Sequence, residues 1–358
     1  MSFTVAVTKE VVHSLDAANM GEAIAGMGGH LRDAAIRSRQ ALDTFSLPKK
    51  DDITNIVLAG LGGSAIGGDL VRSYLLSKSS VPFAINRTYN LPGFVNEKTL
   101  VIVSSYSGST EESLSMFDEA LKCGAKIICV TTGGKLADLA KQHNLPIIIL
   151  PTGFQPRAAL AYSFVPVLMT LEKIGFTSGE AASINDAADT LDTLAKEYGS
   201  NNLTDSNHAS SLAHTLLARI PVIYSANDIY DTVNIRWRGQ IQENAKHVAF
   251  GNVLPEMNHN EINGWDFPHT MQDKFQVIFL RSPQDEHSQV TKRFEILHSV
   301  LLGKGVEVKE FTAQGNSVVA RMFSLIALAD WTSYYLALLE GVDPSPVPVI
   351  MQLKSKLA

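Results

Sequence analysis

Residues 56–69 read IVLAGLGGSAIGGD, and residues 100–113 read LVIVSSYSGSTEES. In each, a short apolar run rich in β-branched residues stops at a cluster of small residues, and an amphipathic stretch follows. That succession predicts strand, loop and helix twice over. In the second loop Ser105, Ser107, Ser109 and Thr110 crowd a turn that Gly108 allows to close tightly. A helix N-terminus there adds free N–H groups and a positive dipole end. Hydroxyl and N–H donors together suit a phosphate monoester. The plainer alternative is N-capping alone, since Ser-x-x-Glu ahead of a helix is a capping box. Two such loops about one βαβ unit apart favour phosphate binding.

Outward from these loops, strand-like runs fall at 83–86, 127–131 and 147–150, most of them separated by helical stretches. This alternation predicts a doubly wound parallel sheet, whose ligands sit beyond the C-terminal ends of the strands. Thr131-Thr132-Gly133-Gly134 follows the fourth strand and either lines the same cleft or makes a simple strand-to-helix turn. Residues 10–46 carry a helical pattern read as a pair of leading helices. Arg157 starts an apolar helix at 160–174. An Arg at a helix start opposes the dipole, so a nearby anion would account for it; a surface Arg is the alternative.

The second half repeats the alternation, with strands expected at 221–225, 248–251, 276–280 and 306–311. No Ser/Thr-rich loop follows them, and RSPQDEHS comes after Leu280 instead. The apolar helix 317–339 belongs in a core or at a subunit interface. The tail 344–358, PSPVPVIMQLKSKLA, starts extended because its prolines alternate, and ends in a short amphipathic helix. The densest polar stretch is RWRGQIQENAKHVAFGNVLPEMNHNEINGWD. In it Glu243 ends a helix, and His259 follows 16 residues later in an Asn-rich loop. A carboxylate and an imidazole fit acid–base work on a sugar, one moving a proton between adjacent carbons and the other opening a ring. A solvated helix carboxylate and a loop-stabilising histidine are the structural alternatives. Glu243 with His247, or Glu256 with His259, have metal-ligand spacing, but no HExxH motif or Cys/His cluster accompanies them.

Composition narrows the classes. The 358 residues are 45% hydrophobic and 18% charged, an ordinary globular balance with length for about two domains. A net charge of −6 without any Lys/Arg run argues against a nucleic-acid surface. Cys123 and Cys129 are expected as buried thiols, fitting a reducing compartment. The opening MSFTVAVTKEV lacks a signal-peptide signature, and no apolar run is expected to span a bilayer. The expectation is a cytoplasmic protein.

Taken together, GLGGSAIGGD, SSYSGSTEES, QENAKH and EMNHNEINGW resemble the bifunctional phosphoglucose/phosphomannose isomerases, of the sugar isomerase (SIS) domain superfamily. The resemblance spans nearly the whole chain, and QEN followed by the NHNE histidine is its most specific part. It implies an α/β protein of two SIS domains, each a doubly wound, mostly parallel sheet flanked by helices. The expected division is leading helices packing on the body (1–50), a first SIS domain with the phosphate loops (51–176), a connecting helix (177–208), a second SIS domain with the catalytic Glu and His (209–340), and a tail helix (341–358). It also implies a homodimer, without metal or cofactor, that interconverts glucose 6-phosphate or mannose 6-phosphate with fructose 6-phosphate. By the resemblance, Ser105, Ser107 and Thr110 hold the phosphate, Gly63 and Ser64 contact the sugar, and Arg157 stabilises the charged intermediate. Glu243 is the base that moves a proton between C1 and C2 through a cis-enediol. His259 opens the ring, reaching in from the partner subunit, and Lys354 assists it, with Lys356 as a competitor.

Other classes fit less well. A non-catalytic SIS sensor usually travels with a basic DNA-binding segment, which is missing here. An amidotransferase needs an N-terminal Cys, and the chain starts Met1-Ser2-Phe3. A SIS isomerase of another phosphosugar remains a rival. For a dinucleotide-binding enzyme GLGGSAIGG is a near miss, but Asn86-Arg87 stands where the acidic residue belongs.

Overall fold

The computed structural model describes residues 7–203 and 206–357, with the side chains of Lys354 and Leu357 outside the description. Residues 1–6, where part of the N-terminal expectation fell, also lie outside it. The described chain divides into two compact units, Met27–Asp189 and Met1–Gly26 with Thr190–Ala358.

The leading segment forms three helices rather than two: α1 (Lys9–Leu15), α2 (Met20–Ala25) and α3 (Met27–Leu42). The first two group with the C-terminal unit, where the buried Asp16 carboxylate accepts from the Met20 and Gly21 amides and the Tyr334 hydroxyl. Helix α3 belongs to the N-terminal unit.

From there the chain runs β1 (Asn55–Ala59), α4 (Gly62–Leu75), β2 (Phe83–Asn86), β3 (Thr99–Ser105), α5 (Glu111–Lys122), β4 (Lys126–Thr131), α6 (Gly134–Gln142) and β5 (Ile147–Ile149). Then come α7 (Leu160–Ile174) and α8 (Glu180–Tyr198). The five strands are all parallel, in the order β2-β1-β3-β4-β5. Alternate residues point to opposite faces. Val57, Val101, Val103, Ile127 and Cys129 pack with Met116, Phe117 and Leu136 of α5 and α6. Helices α3, α4 and α7 pack as a second group, and α7 is apolar nearly all round and buried accordingly. The chain reverses its direction of travel between β1 and β3, so the loops after these two strands stand at the topological switch point.

The C-terminal unit continues with α9 (His208–Leu216), β6 (Ile220–Ala226), α10 (Asp231–Asn244), β7 (Phe250–Leu254), α11 (Glu261–Gly264), β8 (Phe275–Arg281), α12 (Ser288–Gly303), β9 (Val308–Thr312), α13 (Val318–Leu339) and α14 (Pro348–Leu357). Its sheet is parallel in the order β7-β6-β8-β9, the same winding with one strand fewer. Both sheets therefore have the expected α/β class.

Two expectations need correction. The run α13 is, by length and composition, able to cross a membrane, but its apolar window is entirely buried inside the protein. It is a core helix: Asp330 within it pairs with Arg236 of α10 at 2.8 Å, both nearly inaccessible. Both cysteines are free, but only Cys129 is buried; Cys123 caps the end of α5 and is exposed.

Candidate active site

The loop after β3 gathers three of the residues singled out for phosphate. The Ser105 hydroxyl donates to Thr110 Oγ1 at 3.0 Å, and Ser107 Oγ lies 3.4 Å from the same atom. The turn between them depends on Gly108, whose φ is +68° and whose added Cβ would lie 1.8 Å from the Gly133 carbonyl oxygen. No L side chain fits that approach. Thr110 is the N-cap of α5, yet its side chain makes no capping bond, and neither does that of Leu61 at α4. The capping-box alternative therefore does not describe this loop. The Ser105 and Ser107 hydroxyls face that of Thr110, at a helix start whose N-cap side chain makes no capping bond.

The neighbouring loops are joined to this one. Ser64, in the first turn of α4, accepts from the Tyr106 amide at 3.0 Å. Thr132 donates to the Tyr106 carbonyl through both its amide, at 3.1 Å, and its hydroxyl, at 2.7 Å. The Leu136 amide donates to the Gly108 carbonyl at 2.9 Å. The Thr131–Gly134 stretch is the turn from β4 into α6, and it packs against the hydroxyl-rich loop. Gly63 sits where a Cβ would fall 2.7 Å from the Pro156 carbonyl oxygen. That contact seats the start of α4 against the 3₁₀ turn Pro156–Ala158, whose middle residue is Arg157. Arg157 is 5% exposed, so it is not a surface residue. A buried guanidinium stays charged and needs anionic or polar company. Arg87, at the end of β2, is paired with the buried Asp69 carboxylate of α4.

In the C-terminal unit Glu243 is the penultimate residue of α10 and partly buried, and Lys246, at φ +55°, lies just beyond the helix end. His259 closes the 3₁₀ turn Glu256–His259 after β7 and is exposed. The Asn-rich loop is held largely through Glu261, which accepts from Asn252 at 2.7 Å, from the Tyr224 hydroxyl, and through its own amide donates to Asn260 at 2.5 Å. Burial and the Glu261 carboxylate both push the Tyr224 phenol up, so it stays a donor. The His247 ring faces the Arg219 carbonyl oxygen through Nε2 at 3.1 Å and Glu340 through Nδ1 at 3.4 Å. Among the described residues no group of three or more His, Cys, Asp or Glu gathers as a metal site. Lys354 and Lys356 lie in α14; the Lys356 side chain is exposed, and that of Lys354 is outside the described residues.

Two residues escaped the sequence reading. Tyr106 sits among serines as the one bulky residue of its loop, and Glu261 hides in an Asn-rich run. Neither type nor spacing marks them; only the folded contacts do.

Comparison with known proteins accounts for most of the chain. Residues 52–175 match the model of the SIS domain, and residues 205–357 match that of the bacterial phospho-glucose isomerase C-terminal SIS domain. The bifunctional phosphoglucose/phosphomannose isomerase of Caldicellulosiruptor bescii is 43% identical over 310 residues, covering 87% of this chain and 91% of that protein. The protein of the same name from Aquifex aeolicus is 38% identical over 303 residues, covering 84% and 90%. A hypothetical protein of Thermus thermophilus, with a solved structure, superposes with a TM-score of 0.72 over 98% of this chain and 93% of that one. At 14% identity, that likeness speaks for the fold alone.

Proposed function

The chain belongs to the family of bifunctional phosphoglucose/phosphomannose isomerases and is a sugar-phosphate isomerase, and we propose that it interconverts glucose 6-phosphate or mannose 6-phosphate with fructose 6-phosphate. The observation that supports the choice of substrate class is the start of α5, where the N-cap Thr110 makes no side-chain capping bond and its hydroxyl lies 3.0 Å from that of Ser105 and 3.4 Å from that of Ser107.

In the proposed reaction those hydroxyls hold the phosphate, and Gly63 and Ser64 contact the sugar. His259, contributed by the partner of a cytoplasmic homodimer, moves a proton from the C1 hydroxyl to the ring oxygen, and Lys354 assists the opening. Glu243 then removes the C2 proton of the open-chain aldose. The electron pair forms the C1–C2 double bond of a cis-enediolate, and the negative charge settles on oxygen. The hydroxyl proton of O2 passes to O1, and return of the abstracted proton from Glu243 to C1 leaves O2 as the carbonyl oxygen of the ketose. Arg157 stabilises the enediolate because its charge is permanent and, being buried, poorly screened by water. Loss of the C2 proton from either aldose gives the same planar enediolate, and rotation about the C2–C3 bond turns either face of C2 toward Glu243, so that one site serves both aldoses. The phosphate lies far from the reacting carbons, so its binding energy serves orientation.

The test is a coupled assay for fructose 6-phosphate formed from each aldose, with EDTA present. Turnover of both, unchanged by EDTA, is expected. In Glu243→Gln, kcat falls about a thousandfold, while binding of fructose 6-phosphate survives. Near wild-type turnover by that variant would remove Glu243 from the role of base.

A further inference from the structure

Every polar group of Tyr106 is committed, and each to a different loop. Its amide donates to Ser64 Oγ at the start of α4, at 3.0 Å. Its carbonyl accepts twice from Thr132, after β4. Its side-chain hydroxyl donates to the Pro151 carbonyl oxygen at 3.0 Å and accepts from the Phe154 amide at 3.2 Å, both after β5. The residue therefore ties together the loops that follow β1, β3, β4 and β5. Two of its neighbours in sequence, Ser105 and Ser107, are the hydroxyls of the candidate phosphate seat.

The segment that Tyr106 grips by its hydroxyl, residues 151–154, leads directly into the turn that carries Arg157. Its far side is anchored as well. The Phe154 ring packs edge-on against His30 of α3, with centroids 4.7 Å apart, and against Tyr162 of α7 at 5.6 Å. Tyr162 in turn donates to Asp33 of α3 at 2.9 Å. The segment is thus clamped between a packed aromatic cluster on one side and a single phenol on the other. The clamp on the phosphate side is the adjustable one, because it is one hydroxyl making two hydrogen bonds. Burial pushes that phenol up, which keeps it protonated and able to donate.

We infer that Tyr106 is a positioning residue that couples occupancy of the phosphate seat to the placement of Arg157. This rests on the isomerase reading above and deepens it. A phosphate bound to Ser105 and Ser107 fixes the backbone between them, and Tyr106 carries that order to residues 151–157. The guanidinium is then held where the enediolate charge develops. In this arrangement the phosphate acts on the chemical step as well as on binding.

The experiment compares wild type with Tyr106→Phe, which keeps the ring and removes both hydroxyl bonds. Three quantities are read: kcat and KM for glucose 6-phosphate, the affinity for inorganic phosphate by calorimetry, and the stimulation by phosphite of turnover on unphosphorylated glucose. In the variant, kcat is expected to fall about thirtyfold, with KM and phosphate affinity within about twofold of wild type. Phosphite is expected to stimulate wild type and not the variant. A purely structural role for the hydroxyl would weaken phosphate affinity together with kcat, and that result would overturn the inference. So would a variant with wild-type kcat, or phosphite stimulation equal in both proteins. If wild type itself turned over no sugar phosphate, the isomerase reading would fall and this inference with it. Wild-type turnover with an undiminished variant would overturn the coupling alone.

Discussion

The loops after β3 and β8 stand at equivalent places in two parallel sheets, and they are built on opposite principles. After β3 come hydroxyls and an uncapped helix start. After β8 the chain brings in its own anions. Asp285 accepts from the Tyr230 hydroxyl at 2.7 Å, from Ser282 Oγ at 2.6 Å, and from Arg321 through Nε at 2.7 Å and an η nitrogen at 2.6 Å. Glu286 is held by Arg281 and the Ser282 amide, with the Arg281 guanidinium 4.2 Å from the Phe294 ring centroid. Burial would raise the Asp285 carboxyl, but the hydrogen bonds from Arg321, Ser282 and Tyr230 outweigh it and hold it below the usual carboxylate range. One sheet end presents hydroxyl groups at a helix start; the other carries carboxylates already satisfied by the protein's own donors. A shared topology thus fixes where a site can be, while local charge decides whether it is available.

The largest effect that can break this comparison comes from the filled loop. Arg321→Ala leaves a carboxylate buried beside two neutral donors, and should cost about 3–5 kcal/mol of stability, read from the urea unfolding of the C-terminal unit. A change under about 1 kcal/mol would show that the pair is incidental. Next in size, Ser107→Asp imports the second loop's solution into the first. A carboxylate beside the phosphate should weaken fructose 6-phosphate binding about a hundredfold, with little change in thermal stability, since Ser107 is exposed. Binding of undiminished strength would place the phosphate elsewhere. The smallest effect sharpens the first loop's role: Thr110→Ala should raise KM about tenfold, and equally for glucose 6-phosphate and mannose 6-phosphate. Unequal changes in steady-state kinetics would argue against a common phosphate pocket.

How much of this was readable beforehand follows from how local each feature is. Strands β1, β3 and β4 were legible because they are buried on both faces and read as continuous β-branched runs. The outer strands β7 and β9 were expected two residues early, at 248 and 306. β7 and β9 lie at the edges of their sheet, β7 contains Gly251 and Asn252, and Val248, counted as strand, is exposed. The hydroxyl cluster was legible because its members lie within six residues of one another. The Asp285–Arg321 pair joins residues 36 apart, and sequence offers no signal for such a partnership. Tyr106 shows the remaining gap. Its neighbours announce a polar turn, while its own importance lies in contacts to residues 26 and 45 positions away.

The two thiols of the N-terminal unit bear on how this site can be watched at work. Cys129 lies in the middle of β4, and burial pushes its thiol up to about 12, which leaves almost no thiolate to react near neutral pH. Cys123 is exposed at the far end of α5, the helix whose first turn faces the hydroxyl cluster. Alkylation of the native protein is therefore directed to one end of that helix, roughly 18 Å along its axis from the other. A fluorophore attached there would report on the helix that starts at the proposed phosphate seat, with no new cysteine introduced and without touching the proposed catalytic groups.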